Sequence, residues 1–217
     1  MACLLVAAQG DWQKKKPAEW TQEDAHELLT DSPWAKSTTP QFKPQSVSNM
    51  GRGGMGVGIG GMGGGMGRRG GGMGRMPREP REERPQQGEG KAVVVRWESA
   101  LPIQEAELKA KNASAPEMQE GQYAIVIDGL PARRLIQGDR MPKPHGELKR
   151  EGQKTIKSVD ARVLPRDEGP LVIFYFSRTK EIVPGDKQIE FDGEVGPFHV
   201  KQAFSLEDMV YQGQLAL

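Results

Sequence analysis

Residues 171–176 read LVIFYF. Six consecutive apolar or aromatic side chains, of types that suit a pleated backbone, leave no face for water. Such a strand is covered on both sides and belongs in the middle of a sheet. The surrounding sequence supplies partners for it. Residues 91–97 (KAVVVRW) and 122–128 (QYAIVID) read as strands, the second closed by a turn at Gly129–Pro131, and 155–164 supply another. QIEF and FHVKQAF alternate about Asp192-Gly193 like a hairpin, Pro184-Gly185 suits a tight turn, and the tail DMVYQGQLAL alternates as a last strand.

Helix is expected over 102–111, opening at Pro102, with Glu105–Lys109 and Glu107–Lys111 at favourable i,i+4 spacing. One or two further short helices are expected around ARRLIQ and GELKRE, between Arg133 and Lys154. Two strands about a helix, followed by antiparallel pairs, define an α+β domain at 91–217 with a mixed, largely antiparallel sheet and a few short helices. A segment of that length buries roughly two-thirds of its extended surface and is expected to fold alone.

Upstream the composition changes sharply. Positions 50–76 hold 15 Gly, 6 Met, 4 Arg, Val57 and Ile59, and nothing else. Glycine loses the most backbone entropy on ordering, and little here offers burial to offset it. Residues 37–90 therefore read as a disordered Gly/Met/Arg-rich linker. As a Gly-rich coil, about 50 residues span roughly 35–42 Å root-mean-square, enough for a rope joining two separately organised ends.

The N-terminal end reads as one short element, residues 18–36. Thr21 and Asp24 resemble a capping box, Glu23 and Asp24 load the first turn with acid, and Ala25, Leu28 and Leu29 form one apolar face. Pro33 stops the helix. Trp20 and Trp34 bracket it, and an element so small cannot bury two indoles by itself. Trp20, Leu28, Leu29, Pro33 and Trp34 are thus the candidate binding residues. They dock on the chain's own domain or on a partner protein, and the sequence leaves both open.

Residues 1–17 read as a signal-peptide remnant and disordered start. Ala2–Ala8 is apolar, with Val6 and Ala8 placed as before a cleavage site, but a basic leader is missing, so either translation begins upstream or the N-terminus is a short apolar one. The expected location is extracytoplasmic, periplasmic or secreted, with the cytoplasm as the alternative. Cys3 is the only cysteine, which rules out an intramolecular disulfide. No apolar run approaches the roughly 20 residues of a membrane-spanning helix.

The chemistry-bearing motifs are weak. The tract matches G-x-G-x-x-G at Gly51–Gly56, but no strand delivers it and no helix receives the phosphates, and no G-K-[ST] follows. GRGG and GRRGGG resemble RNA-binding segments, yet no aromatic lies between Phe42 and Trp97 to stack on bases. The methionines could suit a soft metal, but no His lies between His26 and His145. His145 and His199 have no partner spacing, His199 reads as a sheet residue, and no G-x-S-x-G elbow exists. Of Asp128, Asp160, Glu190, Asp192 and Glu194, most fall at strand ends and turns, where solvated charge is expected. NAS at 112–114 is a glycosylation sequon only in a eukaryotic secretory setting. Residues 91–217 hold 18 basic and 19 acidic side chains, so that part has no field to attract nucleic acid. The expectation is a non-enzymatic protein with no catalytic residue, cofactor or metal. A Gly/Arg-mediated nucleic-acid binder and an enzyme with a cryptic site are the alternatives.

WTQEDAHELLTDSPWAK resembles a W-T-x-x-x-A-x-x-L-L-x-x-S-P-W-A signature of exported, uncharacterised bacterial proteins that often carry Gly/Met-rich tracts. VVVRWESALPIQEAE, FYFSR and FSLEDMVYQGQLAL resemble their C-terminal parts. The resemblance implies export and an α+β domain. It implies no activity.

Overall fold

A computed structural model describes residues 11–42, 91–111, 115–116, 118, 120–131, 135, 143–166, 169–179 and 181–217. The chain divides into two units, Met1–Pro44 with Glu89–Leu217, and Gln45–Gly88. The second lies outside the described residues, as do residues 1–10, the sequon and most of ARRLIQ, so the expectations placed on them are not addressed by the fold.

Among the described residues the first unit has helices α1 (Gln22–Thr30) and α2 (Leu101–Lys109). Its strands are β1 (Ala35–Thr38), β2 (Gln41–Phe42), β3 (Val93–Trp97), β4 (Gln122–Asp128), β5 (His145–Arg150), β6 (Ile156–Leu164), β7 (Leu171–Ser177), β8 (Gln188–Val195) and β9 (Phe198–Ser205). A small hairpin, β10 (Val210–Tyr211) with β11 (Gln214–Leu215), ends the chain. The nine-stranded sheet runs β1-β3-β4-β7-β6-β5-β8-β9-β2, with antiparallel pairing throughout. The sheet is thus largely antiparallel with short helices, as expected, though strand far outweighs helix.

The two ends of that order are the key to the fold. β1 pairs with β3 at one edge and β2 with β9 at the other, yet only Thr39 and Pro40 separate β1 from β2. One continuous segment, residues 35–42, therefore fills both edges, and the sheet curls until they meet on it. Thr38 Oγ1 donates to the Lys201 carbonyl at 3.3 Å across the seam. The edge strands that remain, β1 and β2, are only four and two residues long, too short to be good templates for aggregation.

β7 sits between β4 and β6. Its Val172, Phe174 and Phe176 enter the main core, while Leu171, Ile173 and Tyr175 pack on the other face with Ala124 and Val126. That double burial is why LVIFYF carries no polar position. Along β8, Ile189, Phe191, Gly193 and Val195 face inward and alternate with exposed or half-buried polar residues. Room for the rings comes from two glycines opposite each other, Gly146 and Gly193. A Cβ on Gly193 would lie 2.6 Å from Phe191 Cζ, and one on Gly146 would lie 2.9 Å from Phe174 Cδ1. Phe174 and Phe191 occupy that space edge to face, with centroids 5.3 Å apart.

Several expectations are corrected. GELKRE is strand β5, not helix. Gly146, Leu148 and Arg150 point one way and His145, Glu147 and Lys149 the other, a period of two hidden by charge. The β8–β9 hairpin turns at Gly196-Pro197, with Gly196 at φ 58°, because Gly193 is needed facing inward beneath Phe191. Within the element read as 18–36 the helix itself covers only Gln22–Thr30, ending just short of the stop expected at Pro33. Asp31 leaves helical geometry, and Ser32 Oγ turns back to donate to the Leu28 carbonyl at 2.7 Å. Residues 37, 38, 41 and 42 lie in strands rather than in a linker. Nor is the main core confined to residues 91–217, since Trp12, Trp20, Ala25, Leu28 and Trp34 belong to the same buried cluster as Trp97, Phe176 and Phe204. The picture of two separately organised ends gives way to one domain built from the described residues on both sides of 45–88.

Candidate functional site

The N-terminal segment begins with a short 3-10 turn, Asp11–Lys14, and enters α1 through a capping box at Thr21. Thr21 Oγ1 accepts from the Asp24 amide at 3.1 Å, and Asp24 Oδ2 accepts from the Thr21 amide at 2.8 Å. Lys15 Nζ donates to the same carboxylate, also at 2.8 Å. That hydrogen bond, followed by the one from the Thr21 backbone, holds Asp24 below its usual pKa. Acid at this position also suits the positive end of the helix.

The five candidate residues lie as follows. Trp20, Leu28, Leu29 and Trp34 are buried and Pro33 is half-buried. Trp34 Nε1 donates to the Ala216 carbonyl at 2.7 Å, and the Trp34 carbonyl accepts from the Trp97 amide at 2.7 Å. Trp20 Nε1 donates to the Trp12 carbonyl at 3.1 Å. Trp12 packs edge-on against Trp34 with centroids 5.8 Å apart, and Trp20 lies 6.3 Å from the Tyr211 ring. Tyr211 donates in turn to Glu105 Oε2 at 3.1 Å; burial, and then that carboxylate, push its phenol up to about 12. The segment's indoles thus meet α2 and the C-terminal hairpin in one layer beneath the sheet. Trp12 fell in a stretch read as a disordered start. The signal was the indole itself, too large to leave unpartnered in a short segment.

A second cluster was not foreseen. Arg96 points out of β3 under α2 and is buried. Its Nε lies 2.9 Å from Glu98 Oε2, its Nη2 lies 2.9 Å from Glu107 Oε1, and its Nη1 lies 3.6 Å from Asp128 Oδ2. Burial pushes the guanidinium pKa down, but Glu98 and then Glu107 more than offset this and raise it above the usual value. A cavity of about 380 Å³ opens beside this network, lined by Glu98, Gln104, Glu107, Leu108, Lys111 and Met118 among others.

The third cluster corrects the reading of the carboxylates. Asp192 lies mid-strand in β8, not at a turn. It accepts from Lys149 Nζ, faces His199 Nε2, and lies 3.3 Å from Lys201 Nζ. Burial pushes its carboxyl up, yet Lys149, His199 and Lys201 together hold it at about 2. His199 is, as expected, a sheet residue of β9. The Asp–His pair and the two lysines that flank it read as a charge lattice on the outer face. Its stabilising effect is complete above pH 3.8, the unperturbed pKa, and is lost as pH falls toward about 2. The denaturation midpoint is expected to drop over that interval, and Asp192→Asn to lower it at neutral pH while flattening the acid limb. Equal slopes in the two proteins would remove Asp192 as the cause.

Among the described residues no group of three or more His, Cys, Asp or Glu side chains could hold a metal ion, and no helix is long and apolar enough to cross a membrane. No protein-family model, curated protein or solved structure matches this chain.

Proposed function

We propose that this is a non-enzymatic binding or envelope-associated protein acting outside the cytoplasm, whose N-terminal helix docks on the chain's own domain. The observation that carries the docking reading is the indole N–H bond from Trp34 to the Ala216 carbonyl, 182 residues away, made by a side chain with 0% exposure. An indole N–H in water would lose nothing by facing a partner protein. One buried and bonded inside the chain is already committed. A barrel interior filled by Trp97, Ile125, Phe174, Phe176 and Phe191 supports the non-enzymatic reading, because a packed lumen offers no container for a substrate. Export rests on the apolar Ala2–Ala8 stretch before a small-residue pattern.

The test is the accessibility of the indoles. Tryptophan emission of the native chain is expected at short wavelength and little quenched by iodide, becoming long-wavelength and readily quenched in urea. Ready quenching in buffer would place α1 in solvent and end the docking reading. An alkaline phosphatase fused after Leu217 reports the location, being active only outside the cytoplasm. RNA affinity that falls steeply with salt, and vanishes when Arg52, Arg68, Arg69 and Arg75 are changed to Gln, would replace the proposal with the nucleic-acid class.

A further inference from the structure

The closing segment touches the rest of the domain only through non-covalent contacts, and its sole covalent link runs through residues 43–90. Cis closure needs little of that length. Thr38 is paired with Val93, so the end of β1 lies beside the start of β3, and β2 occupies only residues 41 and 42 of the chain between them. Instead the chain places 54 residues between them, 39–92.

We propose that segment 11–42 is a transferable closing element and that the barrel of one copy accepts the segment of a second copy in the same seat. This deepens the docking reading and rests on it. The seat is fully specified. It comprises the β3 edge opposite Ala35–Thr38, the β9 edge opposite Gln41 and Phe42, the Ala216 carbonyl for Trp34 Nε1, the Trp97 amide for the Trp34 carbonyl, and Tyr211 beside Trp20. A second copy brings the identical segment, so every one of these contacts is reproduced in exchange, and only the tether distinguishes the two arrangements. Taken as the Gly-rich coil that its composition leads one to expect, the 48-residue tether has a root-mean-square span of roughly 35–42 Å. It presents its own segment at an effective concentration on the order of millimolar. Own and foreign segments therefore compete evenly once the protein reaches about that concentration, as on a crowded surface or in a confined compartment. A vacated seat exposes two sheet edges at once, β3 and β9, and the fitting strand that closes both is another copy's residues 35–42.

The experiment uses full-length chains carrying Cys3→Ser. Ser37 and Val94 are direct cross-strand partners, and Ser37 is exposed, so cysteines there can form a disulfide only when a segment is seated. A Ser37→Cys copy is mixed with a Val94→Cys copy at concentrations up to about the millimolar crossover, incubated and oxidised with glutathione disulfide. The expected result is a linked heterodimer that rises with concentration and exceeds, at least tenfold, the amount formed when Glu23→Cys replaces Ser37→Cys. Yield equal to that control overturns the exchange. A single chain carrying both Ser37→Cys and Val94→Cys separates the two ideas. If it links internally while the mixture does not, docking stands and exchange fails. If neither links, the docking reading fails as well.

Discussion

Trp34→Ala is expected to lower the unfolding free energy by about 3–5 kcal/mol, the range for truncating a fully buried large aromatic side chain. Trp34 has no exposed surface and packs against Trp12, so truncation leaves a cavity in the layer that joins the N-terminal segment to the C-terminal hairpin. It also leaves the Ala216 carbonyl without its donor. Trp34→Phe keeps most of the packing and loses the N–H, and should cost nearer the ~1 kcal/mol of one hydrogen bond plus a small void. Urea denaturation followed by circular dichroism measures both. A loss below about 1 kcal/mol for the alanine variant would mean that the indole anchors nothing, against the cost expected for a buried aromatic side chain.

Arg96→Met should be as damaging, for a different reason. The substitution keeps the volume of the stem but strips two buried carboxylates, Glu98 and Glu107, of their shared cation. Breaking a buried ion network by removing one partner costs about 3–5 kcal/mol, because the buried carboxylates lose the cation that offset their desolvation. Replacing all members together is much milder. Arg96→Met combined with Glu98→Gln and Glu107→Met is therefore expected to regain at least half of the loss. Arg96→Lys should not rescue, since a single ammonium cannot reach carboxylates met by three separate guanidinium nitrogens. If the triple variant proved as unstable as the single one, lost packing under α2 rather than unpaired charge would be the cause.

The local parts of this fold were legible from short windows. The double-sided apolar run of β7, the capping box of α1 and the Pro102 start of α2 each depend on residues within a turn or two of one another, and each lies where its pattern puts it. Errors arose where a local signal had a competing explanation. Asp192-Gly193 looks like a hairpin turn, yet Gly193 is small so that Phe191 can lie over it. GELKRE carries enough charge to pass for a helix surface, although its alternation is that of a strand. The candidate site was half visible. Two tryptophans bracketing a short helix announced a need for burial, but nothing local said that the Ala216 carbonyl, 182 residues away, would meet Trp34.

The sequence by itself determined the strand-rich composition of residues 91–217, the start of α1 and α2, and the demand of Trp20 and Trp34 for a covering surface. Propensity, capping and side-chain periodicity act over a few residues and need no partner to be read. Only the tertiary structure decided that residues 35–42 close both edges of one sheet, that Arg96 is caged by carboxylates from a strand and a helix, and that Asp192 gathers lysines from two neighbouring strands. Those outcomes depend on which distant edges meet. Pairings such as Gln41 with His199 span most of the chain and leave no periodic trace in either partner.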